Sequence, residues 1–290
     1  MGFRARTRTI AICASMLVLP LTFINPVAAE SNAETDVLLK AAINGEHRSP
    51  DNKARDRYRK PLETLIFLGL RADMTVVEIW PGAGWYTEIL APVLKDKGKL
   101  YAAQYDPNGP YGYQRRGLGA FLTRLGSNPD LYRGVTITEF DLPYKLRMAP
   151  AESADMVLTF RNVHNWVMDL YGSGAFAELA FQATFDALKP GGVLGIVDHR
   201  WDSADDEDPL AKNGYISQAR TITLAQSVGF ELVAESDILS NPKDTKDYES
   251  GVWTLPPSLA LGDKGKERYL AIGESDRFLL KFVKPAGDGS

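Results

Sequence analysis

The amino-acid sequence predicts an α/β fold, a mostly parallel sheet carrying helices on both faces. Three observations lead there. Short β-branched runs alternate with helical stretches along most of the chain, the pattern of strand–helix–strand units. The first run, Val76–Ile79, turns on Gly82 and Gly84 into a helix that begins near Thr87. Further on, Lys189-Pro190-Gly191-Gly192 stops a helix just before another apolar run, because proline cannot continue a helix and glycine caps it.

The elements follow in order. Glu34 to Asn44 forms a short helix, and Ala54 to Leu65 reads as a second, with Leu62, Leu65, Ile66 and Leu70 as the apolar side that covers the sheet. The strand Val76–Ile79 ends beside Glu78. Glycine suits the turn after it, since it tolerates positive φ and lets a ligand approach the backbone. The first N–H groups of the next helix then point at whatever lies above the strand. Lys99–Gln104 is the second strand, Val135–Thr138 the third and Ala154–Phe160 the fourth. A helix from about Gly174 to Leu188 precedes the fifth strand, which ends near Asp198. A helix from Asn213 to Ser227 and the strands Phe230–Ser236 and Arg277–Val283 complete the pattern. Tyr105–Gly119 and Asn241–Gly265 read as long loops, and the acidic run Asp205–Asp208 as a solvated one.

Glu78-Ile79-Trp80-Pro81-Gly82-Ala83-Gly84 resembles the first motif of class I S-adenosylmethionine-dependent methyltransferases, an acidic residue followed by Gly-x-Gly-x-Gly. The stretch Glu139-Phe140-Asp141-Leu142-Pro143-Tyr144 and the Leu188-Lys189-Pro190-Gly191-Gly192 stop are similar to later motifs of that family. The resemblance implies a Rossmann-like sheet closed by an antiparallel C-terminal strand. It also implies S-adenosylmethionine as cofactor. By it Glu78, Gly82 and Gly84 would lie beside the methionine part, Gln104 and Asp106 near the ribose, Asp141 or Glu139 at the adenine amino group, and Asn162 near the transferred methyl. Two departures stand out: Trp80 replaces the first glycine, and Gln104 stands where an acid is expected. Arg55-Asp56-Arg57-Tyr58-Arg59-Lys60-Pro61, taken with Pro81-Gly82-Ala83-Gly84-Trp85-Tyr86-Thr87-Glu88-Ile89-Leu90, closely resembles an exported bacterial group of predicted methyltransferases.

The N-terminal end has the form of a secretory leader. Arg4, Arg6 and Arg8 precede an apolar stretch from Ile10 to Ile24, and Val27-Ala28-Ala29 offers a cleavage site after Ala29. Residues 1–29 would be the signal peptide, 30–71 a helical cap and 72–286 the methyltransferase-like domain. The protein would be exported to the periplasm, free of the membrane once the leader is removed; an uncleaved anchor is the alternative reading. The single cysteine, Cys13, lies inside the leader, so the mature chain has no thiol for disulfides or metal ligation. Losing the three leader arginines takes the net charge from −4 to −7. A mildly acidic chain without a basic stripe is a poor nucleic-acid binder.

The expected partner is a small-molecule acceptor. His164 and His199, two of only three histidines, follow the carboxyl ends of the fourth and fifth strands and are the candidate catalytic groups. Each has a structural alternative, a hydrogen bond at a strand end. With Asp198 they could also bind a metal, but in no recognised ligand spacing, so no metal is expected. Arg55, Tyr58 and Arg59, with Tyr86, are candidates for holding an anionic substrate group, arginine's fork matching carboxylate or phosphate. A solvated helix face is the alternative. Trp80, Trp85 and Tyr86 form either an aromatic wall near a sulfonium or plain core. A protein that binds a nucleoside or other small ligand without catalysis is the second functional reading, favoured by Trp80 and Gln104. An NAD-dependent oxidoreductase is disfavoured by the missing third glycine and the absent ribose acid.

Overall fold

A computed structural model describes residues 1–2, 32–168 and 176–287. The expected leader and the beginning of the helix expected at Gly174 lie outside those residues. Among the described residues four helices precede the sheet: α1 (Ala33–Asn44), α2 (Pro50–Lys53), α3 (Asp56–Arg59) and α4 (Pro61–Leu68). Asn32 opens α1 by accepting the Glu34 and Thr35 amides on its side chain, and Ser49 does the same for Asn52 at α2. The continuous helix expected from Ala54 to Leu65 is broken. Lys60 adopts φ +38°, and Pro61 starts α4 at its first position. Proline drives the residue before it out of the helical region and suits a helix start, so the break is built into Lys60-Pro61. It separates two jobs: Leu65 and Leu68 of α4 are buried in the core, while Arg59 of α3 is buried against Glu274.

The sheet follows: β1 (Thr75–Ile79), α5 (Thr87–Leu94), β2 (Lys99–Gln104), α6 (Gly112–Ser127), α7 (Pro129–Tyr132), β3 (Val135–Glu139), β4 (Ala154–Phe160), α8 (Val163–Val167) and α9 (Ala177–Ala187). Then come β5 (Leu188–Trp201), β6 (Ile216–Ser217), α10 (Gln218–Ser227), β7 (Glu231–Ser236), α11 (Lys266–Ile272) and β8 (Arg277–Val283). Strand order is β3-β2-β1-β4-β5-β8-β7, with the two-residue β6 beside β5. The first five strands pair in parallel, and β8 runs antiparallel to both β5 and β7. That is the expected sheet with its antiparallel closing strand. Among the described residues no helix is long and apolar enough to cross a membrane.

Alternation along the strands divides the core into two layers. Val77 and Ile79 of β1 join Phe181 of α9 and Phe282 of β8 on one face. Val76 joins Leu39 of α1, Leu68 of α4 and Ile89 of α5 on the other. Gly195 is required where α4 crosses β5, because a Cβ there would lie 2.7 Å from a Leu68 methyl.

Three local expectations are revised. The helix does stop at Ala187, yet β5 starts at once: Leu188 pairs with Ala154, and a register shift absorbs the proline and glycines before Val193 pairs with Met156. The Tyr105–Gly119 loop ends early, since α6 begins at Gly112 and buries Leu118 and Phe121. In the acidic run Glu207 is not solvated. Its carboxylate accepts the Ser217 amide and pairs with Arg220 at 2.8 Å.

Candidate functional site

A cavity of about 490 Å³ opens over the carboxyl ends of β1, β4 and β5. Open α/β sheets place their ligands there, because the strand ends and following turns present free backbone groups. Its floor is Glu78, Trp80, Gly82, Arg161 and Asn162. Asn52, Arg55 and Arg59 come over it from the N-terminal cap, and Trp253, Pro256 and Pro257 from the segment between β7 and α11.

The glycine turn is open to this space. Gly82 sits at φ +59°, and a Cβ placed on it would meet nothing within 4 Å. Gly84, at φ +83°, instead faces Phe121 and Arg124 of α6, so its freedom serves packing. Glu78 lies beneath the turn, 2 % exposed, and accepts the Thr87 hydroxyl at 2.6 Å. Burial pushes its carboxyl up to about 8, the Thr87 bond opposing this only in part. The consequence for stability has a definite sign. Between pH 4.5 and 8 the unfolded chain ionises Glu78 while the folded chain keeps it protonated, so stability falls through that window by on the order of 4 kcal/mol. Glu78→Gln should flatten the slope. Urea unfolding of both proteins at either end of the window checks it, and an unchanged slope would refute the assignment.

Trp80 sits in the left-handed region that favours glycine, at φ +44°. A non-glycine residue there costs about 1–2 kcal/mol, offset by the packing of its ring. The indole is 5.1 Å from Tyr105 and 5.8 Å from Phe140, meets Trp166 edge-on, and donates its N–H to the Phe140 carbonyl at 2.7 Å. It therefore lies between the residues expected to border ribose and adenine. Gln104 is fully buried and donates to the Gly82 carbonyl at 2.8 Å, which braces the turn from below. Asp106 pairs with Lys145 at 2.7 Å, and Asp141 forms a two-residue bridge with Lys145. None of Gly84, Gln104, Asp106 and Asp141 is on the cavity wall; Trp80, Tyr105 and Tyr113 are.

The two histidines meet around one carboxylate. His164 donates Nδ1–H to Asp198 at 2.8 Å and its backbone amide to the other Asp198 oxygen at 3.0 Å, while the His199 amide reaches Asp198 at 2.7 Å. A carboxylate only accepts, so the His164 proton sits on Nδ1 and Nε2 keeps its lone pair when the ring is neutral. The His199 ring lies 5.2 Å away, bonded through Nδ1 to the Ser275 hydroxyl. Burial, reinforced by His164 and the arginines, holds His199 well below its ordinary value, so it stays neutral. Donor atoms of His164, Asp198 and His199 all fall within 4.8 Å of one another, a spacing a metal ion would accept. The three hydrogen bonds on the Asp198 oxygens orient the His164 ring in this structure.

Arginines fill the remaining wall. Arg55 and Arg59 reach Glu274 at 2.6 and 3.1 Å, and Arg277 binds the same carboxylate. Arg161, at φ +65°, follows β4 directly, and its guanidinium makes no hydrogen bond or ion pair among the described residues. Burial and then the Arg277 charge push Arg161 down to about 10, which leaves it charged at neutral pH. Burial would raise the Glu274 carboxyl, but Arg277, Arg59, Arg55 and Arg161 together hold it well below the usual range. Tyr86 stacks on Phe160 at 3.5 Å, and burial pushes its phenol up to about 12. Arg48 and Arg59 both lie over the Trp85 ring, at 5.0 and 4.5 Å.

Of the residues singled out in the sequence, Glu78, Trp80, Gly82, Asn162, His164, His199, Arg55, Arg59 and Tyr86 line one cavity. Tyr58 does not; its ring packs on Gly273, with Arg57 stacked over it at 4.6 Å. Arg161, Glu274, Arg277 and the orienting part of Asp198 were missed. Arg161 alone had a local signal, a charge placed directly after an apolar strand.

No protein-family model matches the chain, and no curated protein does either. Solved structures do. An Aquifex aeolicus SAM-dependent methyltransferase superposes with a TM-score of 0.52 at 15 % identity, over 86 % of this chain and 98 % of its own. The [4+2]-cyclase SpnF gives 0.54 at 15 %, over 88 % and 94 %. A Haemonchus contortus phosphoethanolamine N-methyltransferase in complex with S-adenosyl-L-methionine gives 0.51 at 17 %, over 87 % of this chain and 57 % of its own. Likeness at this identity shows the shared architecture, the Rossmann-like sheet of class I methyltransferases. SpnF shows that this architecture also carries a cyclase.

Proposed function

We propose that this chain binds S-adenosylmethionine over its glycine turn and transfers the methyl group to a small acceptor in the periplasm, as the exported group its sequence resembles is expected to do. The observation that carries the reading is the turn itself: Gly82 is open to a cavity that also holds His164, with the motif order of the methyltransferases around it. The residues fit the amino-acid end of such a cofactor through Glu78, Gly82 and Asn162. They offer its nucleoside an aromatic wall of Trp80, Tyr105 and Tyr113 in place of an acid. When bound, S-adenosylmethionine supplies an electrophilic methyl on a sulfonium.

The chain's own residues do the rest. His164 Nε2, oriented by Asp198, accepts the acceptor's proton. Tyr86 and Phe160 form an apolar wall, and Trp253 with Pro256 and Pro257 limits water over the site. Positioning of the acceptor supplies much of the rate.

Calorimetric titration of the mature protein with S-adenosylhomocysteine tests this. Micromolar binding, abolished in Gly82→Arg, is expected; no heat in the wild type would end the transfer reading. One observation favours a second reading, a ligand-binding protein without transfer: the Trp80 indole sits among Tyr105, Phe140 and Trp166, where a nucleoside base would be sought. Under that reading Trp80→Gly gains S-adenosylhomocysteine binding that the wild type lacks. Under the first, the variant binds no better.

A further inference from the structure

The arginine cluster is over-supplied with charge for the acid it contains. Arg55, Arg59, Arg161 and Arg277 surround Glu274, four guanidinium groups to one carboxylate among the described residues. Arg59, Glu274 and Arg277 are each nearly fully buried. A surplus of like charge under low-dielectric walls is costly unless a counter-charge arrives. Hydrogen-bond accounting gives the same answer independently. The Nη2 groups of Arg55 and Arg59 and the Nε of Arg277 are buried without an acceptor, and Arg161 has all of its fork uncommitted among the described residues. Buried donors without an acceptor, here the Arg55, Arg59 and Arg277 atoms, are rare in native proteins, while the Arg161 fork is part-exposed on the cavity wall.

Three of the four, Arg55, Arg59 and Arg161, line the cavity beside His164 and His199. They come from separate places: the start of α3, its last residue, and the turn after β4. A planar carboxylate has two oxygens, and Glu274 already fills that role for this group. A phosphate monoester has three terminal oxygens in a tetrahedron and nearly two negative charges, and so matches three forks and most of the surplus.

We propose that Arg55, Arg59 and Arg161 form a subsite for the phosphate group of a phosphorylated small molecule, which is the acceptor. The assignment of acceptor rests on the transfer reading above; the subsite itself rests on the arginines. Arg277 and Glu274 act as positioning residues, since Glu274 ties Arg55 and Arg59 to the end of the chain. Bound phosphate would complete the donors that Glu274 leaves open and set the rest of the molecule toward His164.

The experiment is calorimetry and thermal unfolding of the full mature protein at constant ionic strength, with inorganic phosphate, glycerol 3-phosphate, succinate and chloride as probes. Both phosphates should bind saturably, the monoester at least as tightly as the free ion, and succinate at least tenfold more weakly. Arg161→Gln should weaken the phosphates at least tenfold, and Arg161→Lys, which keeps charge but loses the fork, by a smaller factor. Circular dichroism identifies any variant that fails to fold, in which case the lysine variant decides. Binding no stronger than chloride, succinate tighter than phosphate, or undiminished binding in the Arg161 variants would overturn the subsite. Inorganic phosphate binding while the monoester does not would overturn the acceptor assignment. S-adenosylhomocysteine is titrated in parallel. Phosphate binding without S-adenosylhomocysteine binding removes the transfer reading and keeps the subsite; the converse does the reverse.

Discussion

Arg48→Met is expected to cost the folded protein about 3–5 kcal/mol, the usual loss when one member of a buried ion pair is removed. The Arg48 side chain is completely buried. Its fork donates to both Asp56 oxygens at 2.8 Å, to Glu88 at 2.9 Å and to the Ile43 carbonyl at 2.9 Å. One guanidinium thus joins the end of α1, the start of α3 and the first turn of α5. Glu88, equally buried, also accepts from Asn52 and from Arg124, so methionine would leave two carboxylates short of donors and fill the space without replacing them. Urea unfolding measures the loss. A decrease of less than about 1 kcal/mol would mean that the network is no stronger than exposed ion pairs. Arg48→Lys should recover part of the loss, because it restores charge without the fork.

Removing the imidazole in His164→Ala should lower turnover about 10²- to 10⁴-fold, the usual range for a positioned base. S-adenosylhomocysteine affinity should stay within about twofold of the wild type, because the glycine turn is untouched. Asp198→Asn tests the positioning role separately. An amide facing Nδ1 offers a donor where the carboxylate only accepts, and so favours the tautomer with its proton on Nε2. That variant should lose kcat with KM unchanged and keep its fold by circular dichroism. If KM rises in step while kcat holds, Asp198 shapes the pocket and has no part in proton transfer. Unchanged turnover in His164→Ala would leave the histidine as a strand-end hydrogen bond.

Much of the sheet was legible because burial on both faces produces continuous apolar runs with sharp ends. The bounds of β2, β4 and β8 coincide with the stretches Lys99–Gln104, Ala154–Phe160 and Arg277–Val283. The break at Lys60-Pro61 was hidden by the helix-forming residues on either side of it. The α6 start was hidden by the Gly, Pro and Tyr content of the segment before it. At the site, residues next to a strand end could be found from the strands alone: Glu78, Gly82, His164 and His199. Partnerships could not. Nothing local ties His164 to Asp198, 34 positions on, or says that Gln104 is turned toward the Gly82 carbonyl. Tyr58 was grouped with Arg55 and Arg59 by proximity in sequence, and the short helix sends its ring to Gly273 instead.

The bonds from Arg55 and Arg59 to Glu274 span 219 and 215 positions. Closing loops of that length costs entropy that grows slowly with the number of intervening residues. In a chain emerging from its N-terminus, the cations of the cap are present long before the carboxylate that gathers them. The arginine wall of the cavity is therefore complete only once the segment before β8 is in place. A truncation ending before Glu274 would remove β8 as well, taking Phe278, Leu280 and Phe282 out of the core, so the clasp cannot be cut away without opening the sheet.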